Sequence, residues 1–165
     1  MSNVWEQITS TVVAEFSDLN DVTEIVRVSV RLLMAALLGG ILGYEREQRG
    51  KSAGIKTHML VSMGAALFVL IPQQAGIVSE AELSRVIQGV VAGIGFLGAG
   101  AILKGDDEKD LKGLTTAAGI WLTAAIGVAA GLGRESSAIL CTVFALLVLV
   151  IIPKSAVLIG PKNNQ

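Results

Sequence analysis

One cysteine occurs in 165 residues, so no intrachain disulfide and no cysteine-based metal cluster can form. That residue, Cys141, lies in an apolar run, where a free core thiol is the expected state. There is one histidine, no plausible nucleophile–base spacing and no Walker loop, so the chain does not read as an enzyme and no cofactor is expected. Charge is scarce as well: 16% of residues are charged, against about 25% in soluble domains. The formal net charge of −1 removes any electrostatic case for nucleic acid. The start, Met-Ser-Asn-Val-Trp-Glu, has no basic region, so a cleaved signal peptide is not expected.

What fills the chain instead is apolar. Hydrophobic residues make up 52%, mean hydropathy is +0.66, and there are 19 glycines. This is the composition of a membrane protein. From Val86 to Leu103 the only polar side chain is Gln88. Within that run Gly93-Ile-Gly-Phe-Leu-Gly98 matches G-x-G-x-x-G, but the strand–turn–helix context of a dinucleotide site is absent. In lipid, such glycines let two helix backbones touch. Gly89 and Gly93 form a small-xxx-small pair, and Gly95, Gly98 and Gly100 spread bare backbone around the same helix.

Five spans are expected, at about residues 25–44, 57–73, 85–103, 114–132 and 136–152. Together they make an all-α, compact five-helix transmembrane bundle over 25–153. Residues 1–24 hold five acids and no Lys or Arg; Val4, Trp5, Ile8, Val12 and Phe16 recur at helical spacing. That segment is an extracytoplasmic amphipathic helix, lying on the membrane or capping the bundle. In the first span the charge-free part begins at Leu32, so Arg31 falls inside the nominal membrane, either snorkelling outward or facing the interior as a functional charge. Gly39/Gly43 and, in the fourth span, Gly127/Gly131 are further packing pairs. The small residues of the fourth span place it centrally. Pro72 marks the end of the second span, and Pro153 with Lys154 the end of the fifth. Residues 154–165 form a short cytoplasmic tail, with no soluble domain attached.

With the first loop inside, the cytoplasmic basic residues are Arg46, Arg49, Lys51, Lys56, Lys104, Lys109, Lys112, Lys154 and Lys162. Only Arg85 and Arg134 then lie outside, so the bias places the N-terminus out and the C-terminus in. A short internal echo links Gly54-Ile-Lys-Thr57 to Gly113-Leu-Thr-Thr116, each opening a helix after a charged loop.

Four ordered motifs carry a family resemblance. They are Gly39-x-x-x-Gly43-Tyr-Glu-Arg-Glu47, Ala53-Gly-Ile-Lys-Thr-His58-x-Leu-Val61, Gly93-Ile-Gly-Phe-Leu-Gly-Ala-Gly100, and Lys112-Gly-Leu-Thr-Thr-Ala-Ala118 with Trp121. Over about residues 30–133 the chain resembles the MgtC/SapB family. The resemblance implies a bacterial inner-membrane protein, connected in several members with survival in low magnesium and inside host macrophages. It also implies two competing activities, magnesium transport and regulation of other membrane proteins, such as ion pumps or the ATP synthase. The chain departs from many members by stopping at Gln165, without a cytoplasmic regulatory domain. It also has Gly89 where a Gln often stands, with Gln88 one place earlier, about 100° around a regular helix.

No acidic residue falls inside a span, so a magnesium path would need backbone carbonyls of glycine-rich helices. The acidic loop of Asp106, Asp107, Glu108 and Asp110 is balanced by Lys104, Lys109 and Lys112. Polar groups converge instead at the cytoplasmic helix ends. Glu45, Arg46, Arg49, Lys56, Thr57, His58, Lys104, Thr115 and Thr116 form the candidate functional cluster, with Glu45 and Arg49 at pairing distance along a helix. Two functions are left: a membrane regulator that packs against other integral membrane proteins through small-residue helices, or a magnesium or proton conduit. The conduit would be lined by Gln88, Thr115, Thr116, Thr123 or His58. The expected surroundings are the lipid bilayer, partner membrane proteins and a second copy of the chain in a homodimer.

Overall fold

A computed structural model describes residues 3–16, 21–74, 76, 79–104 and 111–159, with the backbone alone for 103, 104, 111 and 152–159. Among these residues six helices run in order: α1 (Val4–Glu15), α2 (Val22–Gln48), α3 (Ile55–Gln74), α4 (Glu80–Gly100), α5 (Leu114–Gly131) and α6 (Glu135–Ile159). Between α4 and α5, β1 (Leu103–Lys104) and β2 (Leu111–Lys112) form a two-residue antiparallel ladder. The described fold is otherwise all-helical. Helices α2, α3, α4 and α5 are each long and apolar enough to cross a membrane, and α6 is apolar from Glu135 to Ile151.

The chain divides into two units, residues 1–30 and 31–165. In the first, α1 occupies the acidic segment where periodicity places a helix, and it buries no residue; Trp5 is 71% exposed.

In the second unit α5 packs on α3, α4 and α6. Half of its apolar window is buried, against 6% for α4. The cause is side-chain size: Ala124, Gly127, Ala130 and Gly131 are buried and let neighbouring backbones close in. One core cluster joins Ala35, Leu38 and Leu42 of α2 to Ala66, Ile126, Ala130, Ala138 and Ala145. A second joins Ala65 and Val69 of α3 to Ala124 and Val128, with Val86, Val90 and Ile94 of α4 packed against it.

Several helix ends lie beyond the expected ones. α2 continues through the charged stretch to Gln48, and α4 begins at Glu80. The α4 start is a capping box: Glu82 N–H donates to Ser79 Oγ at 3.3 Å, and Ser79 N–H donates to Glu82 Oε2 at 2.8 Å. The expected stops at the prolines are corrected too. α3 runs past Pro72 to Gln74, and α6 runs past Pro153 to Ile159. A proline removes one N–H and crowds one carbonyl, which an apolar helix tolerates because ending there would expose further backbone groups. At the start of α5, Gly113 has φ +95°, and a Cβ there would overlap the Ala101 carbonyl oxygen.

Candidate functional site

The end of α2 and the start of α3 assemble the site. Because α2 remains helical through Gln48, Glu45 and Arg49 share a face, and Arg49 Nε lies 2.6 Å from Glu45 Oε1. Arg46 pairs with the same carboxylate through Nη2, and its Nε donates to Glu45 Oε2 at 2.5 Å. Arg46 is 3% exposed, so this pairing offsets the desolvation of its charge. Two guanidiniums on one carboxylate leave the cluster locally positive.

Glu47 points the other way along the chain. Its Oε2 accepts from Ile55 N–H at 2.9 Å, placing a negative charge on the N-terminus of α3. A Cβ at Gly54 would meet that carboxylate, so a larger residue there would displace the Glu47 side chain from the helix start.

Four residues into α3, His58 is fully buried. Its Nδ1 stands 2.9 Å from the Gly54 carbonyl oxygen. A carbonyl only accepts, so Nδ1 carries the proton and donates. Among the described residues Nε2 has no hydrogen-bond partner. It faces Gly119 of α5: a methyl group there would stand 3.6 Å from Nε2 and 4.0 Å from Arg46 Cδ. Arg46, His58, Thr115 and Gly119 line a cavity of about 420 Å³ whose other walls are apolar residues of α2, α5 and α6.

The structure therefore brings Glu45, Arg46, Arg49, His58 and Thr115 together. Thr57 lines a separate recess with Phe96, Leu97 and Ile120. Thr116 is buried and Lys56 is exposed. The Lys104 side chain and the acidic loop residues Asp106, Asp107, Glu108 and Asp110 lie outside the described residues. Among the described residues no group of three or more His, Cys, Asp or Glu could hold a metal ion.

The glycines divide into two sets. At Gly39 a Cβ would stand 2.6 Å from the His58 carbonyl oxygen, and at Gly43 2.6 Å from Ile55 Cα. Gly127 and Gly131 press as closely on Ser62 and Ala66 from the α5 side. So α3 is held between two pairs of bare backbones. Gly98 makes only ordinary contact with Ala117, while Cβ atoms at Gly89, Gly93, Gly95 and Gly100 would meet nothing within 4 Å. Among the described residues, the small-xxx-small pair Gly89/Gly93 of α4 therefore has no close backbone partner.

Arg31 takes a role that neither sequence alternative described. Its half-buried guanidinium donates to the Gly131 carbonyl oxygen at 2.9 Å and to Gln73 Oε1 at 3.4 Å. It thus caps the C-terminus of α5, where orphan carbonyls and the helix dipole favour a cation. Sequence reasoning also missed Glu47, Ser62 and Gly119. The Glu47 carboxylate just ahead of a helix start was the one readable signal. Ser62, fully buried between Gly39 and Gly127 with its hydroxyl unpartnered, is invisible without the tertiary contacts.

Residues 32–157 match the MgtC family. Among curated proteins, the chain is 46% identical to Protein SrpB of Synechococcus elongatus over 131 residues, covering 73% of this chain and 72% of SrpB. It is 44% identical over 126 residues to YhiD of Escherichia coli, named as a candidate magnesium transporter, covering 73% of this chain and 58% of YhiD. Identity to Protein MgtC of Salmonella typhimurium is 39% over 127 residues, covering 77% of this chain and 53% of that protein. The chain thus spans little more than half the length of the latter two. No solved structure matches. The family match over residues 32–157, the apolar helices and the ordered motifs agree: this chain is a membrane protein belonging to the MgtC family.

Proposed function

We propose that this protein is a non-enzymatic regulator that binds other integral membrane proteins during adaptation to low magnesium. It resides in the bacterial inner membrane as a multi-pass protein, with α6 as a fifth span, N-terminus outside and C-terminus in the cytoplasm. The excess of basic residues on the first and third loops supports that orientation. The magnesium connection rests on the names of its relatives.

The observation that carries the regulator reading is the unpacked face of α4. Gly89 and Gly93, with Gly64 of α3, line an apolar groove of about 540 Å³, and among the described residues no atom from outside the local helix lies within 4 Å of their Cβ positions. Phe96 on the same helix is 86% exposed. Bare backbone of this kind suits close approach by a partner's transmembrane helix. The conduit reading has less support. Thr115 and His58 share a cavity, but Gln88 is exposed on α4 and the Thr123 hydroxyl donates to the Gly119 carbonyl of its own helix.

The test pairs flux with cross-linking. A photo-cross-linker at position 93, in native membranes, should capture a distinct integral membrane protein, and Gly93→Leu should abolish both the capture and the low-magnesium phenotype. A cross-linked species of twice the chain mass would assign the face to a homodimer instead. Magnesium or proton flux in proteoliposomes, lost on substituting His58 or Thr115, would replace the regulator with a conduit.

A further inference from the structure

The cavity among α2, α3, α5 and α6 has a polarity pattern that the proposed regulator role does not use. Its volume, about 420 Å³, lies within the range of small-molecule sites. The walls away from the helix ends are apolar, including Leu122, Phe144 and Val148. At the other end stand Arg46 and His58. Two cavity-lining residues of α5, Thr115 and Ala118, and two of α6, Phe144 and Val148, are also exposed on the outer surface. The exposed part of the lining thus belongs to α5 and α6, two apolar helices.

The chemistry of the polar end selects the occupant. Buried polar atoms are rarely left without a partner, and His58 Nε2 is fully buried and has none. With Nδ1 donating to Gly54, the neutral ring presents a lone pair at Nε2, which needs a donor. An anion would meet that lone pair unfavourably, and a metal cation would sit beside the Arg46 guanidinium with no carboxylate in the cavity lining. A neutral O–H satisfies both constraints. Gly119 supplies the room, because a Cβ there would meet Nε2 only at an ordinary 3.6 Å, so its absence leaves a methyl-sized gap beside the ring.

We propose that this cavity binds a small amphiphile from the bilayer, its hydroxyl donating to His58 Nε2 and its hydrocarbon body lying along Leu122 and Phe144. The chain supplies its own reporter, since its one cysteine, Cys141, is a half-buried wall residue of the cavity. In liposomes holding the full chain, dodecan-1-ol should slow alkylation of Cys141 by N-ethylmaleimide about fivefold more than 1-methoxydodecane, the fold-change of one net hydrogen bond. The ether has the same body without the donor. Monododecanoylglycerol in a parallel arm separates the sources: stronger protection than by dodecan-1-ol assigns the site to a glycerolipid, and weaker protection to a simple alcohol.

Gly119→Ala is the decisive variant. Its methyl group stands at an ordinary 3.6 Å from Nε2, so the helix accommodates it, yet it fills the space the hydroxyl would take. It should fold, keep the Cys141 reaction and erase the difference between alcohol and ether. Equal protection by alcohol and ether in the unmodified chain, no protection by either, or a preference that survives Gly119→Ala would each overturn the proposal.

Discussion

Replacing Gly39 by alanine tests whether α3 is held by backbone contact. The added Cβ would lie 2.6 Å from the His58 carbonyl oxygen, 2.9 Å from Ser62 Cβ and 3.0 Å from the His58 carbonyl carbon. Ordinary separations require a retreat of roughly an ångström. Two of those three atoms are backbone, so no rotamer change relieves the overlap. Helix α2 must move from α3, and the same movement opens the contact of Gly43 with Ile55. Overpacking of this kind costs about 1–3 kcal/mol. Alanine returns up to about 1 kcal/mol through its higher helix propensity. Overlap wins, and the net expectation is a loss of about 1–2 kcal/mol. Gly93→Ala is the control, because its Cβ meets nothing and only the propensity gain of up to about 1 kcal/mol remains. The two variants should therefore shift the melting temperature in opposite directions, read by intrinsic tryptophan fluorescence in one detergent. A Gly39→Ala protein that melts at or above the unmodified chain would refute the reasoning, as would a Gly93→Ala protein destabilised to the same extent.

Three other perturbations address the polar contacts. Glu45→Ala leaves the buried Arg46 charge without its carboxylate and should cost about 3–5 kcal/mol, visible as poor folding yield; a variant as stable as the parent would mean the cluster is not needed for the fold. Arg31→Met removes the charged donor to the Gly131 carbonyl and should lower stability by about 1.5–3 kcal/mol; hydrogen exchange should rise first at the end of α5, and an unchanged pattern there would exclude the cap. Ser62→Ala deletes an unpartnered buried hydroxyl without adding volume, so melting should stay level or rise; a clear fall would mean that the hydroxyl has a partner.

Much of the helical order was legible in the residues alone. Long apolar stretches separated by charged loops place α2 to α5 because bilayer thickness sets a length that composition can be checked against. The central position of α5 was legible for a related reason, since a helix rich in Ala, Gly and Thr has little bulk to offer lipid. The Glu45–Arg49 pairing followed from helical spacing once the helix was known to continue. Proline was a poorer guide, because α3 and α6 pass through Pro72 and Pro153.

Other features were decided only when the helices met. Periodicity assigns the same packing role to Gly39/Gly43, Gly89/Gly93 and Gly127/Gly131, but which pairs meet a neighbour depends on how each helix is rotated about its axis. Tertiary packing turned two pairs onto α3 and left the α4 pair bare. Arg31 looked like a membrane charge in search of water, because the carbonyl it caps lies 100 residues away in sequence. The setting of His58 is likewise a product of three residues: Gly54 fixes the tautomer, Arg46 sets the local charge, and Gly119 contributes a missing methyl from across the interface. Composition and spacing determined that this chain is a helical membrane protein, because solvent transfer acts on each segment separately. Which faces are used, capped or left open was decided by tertiary structure, because those are properties of pairs of segments.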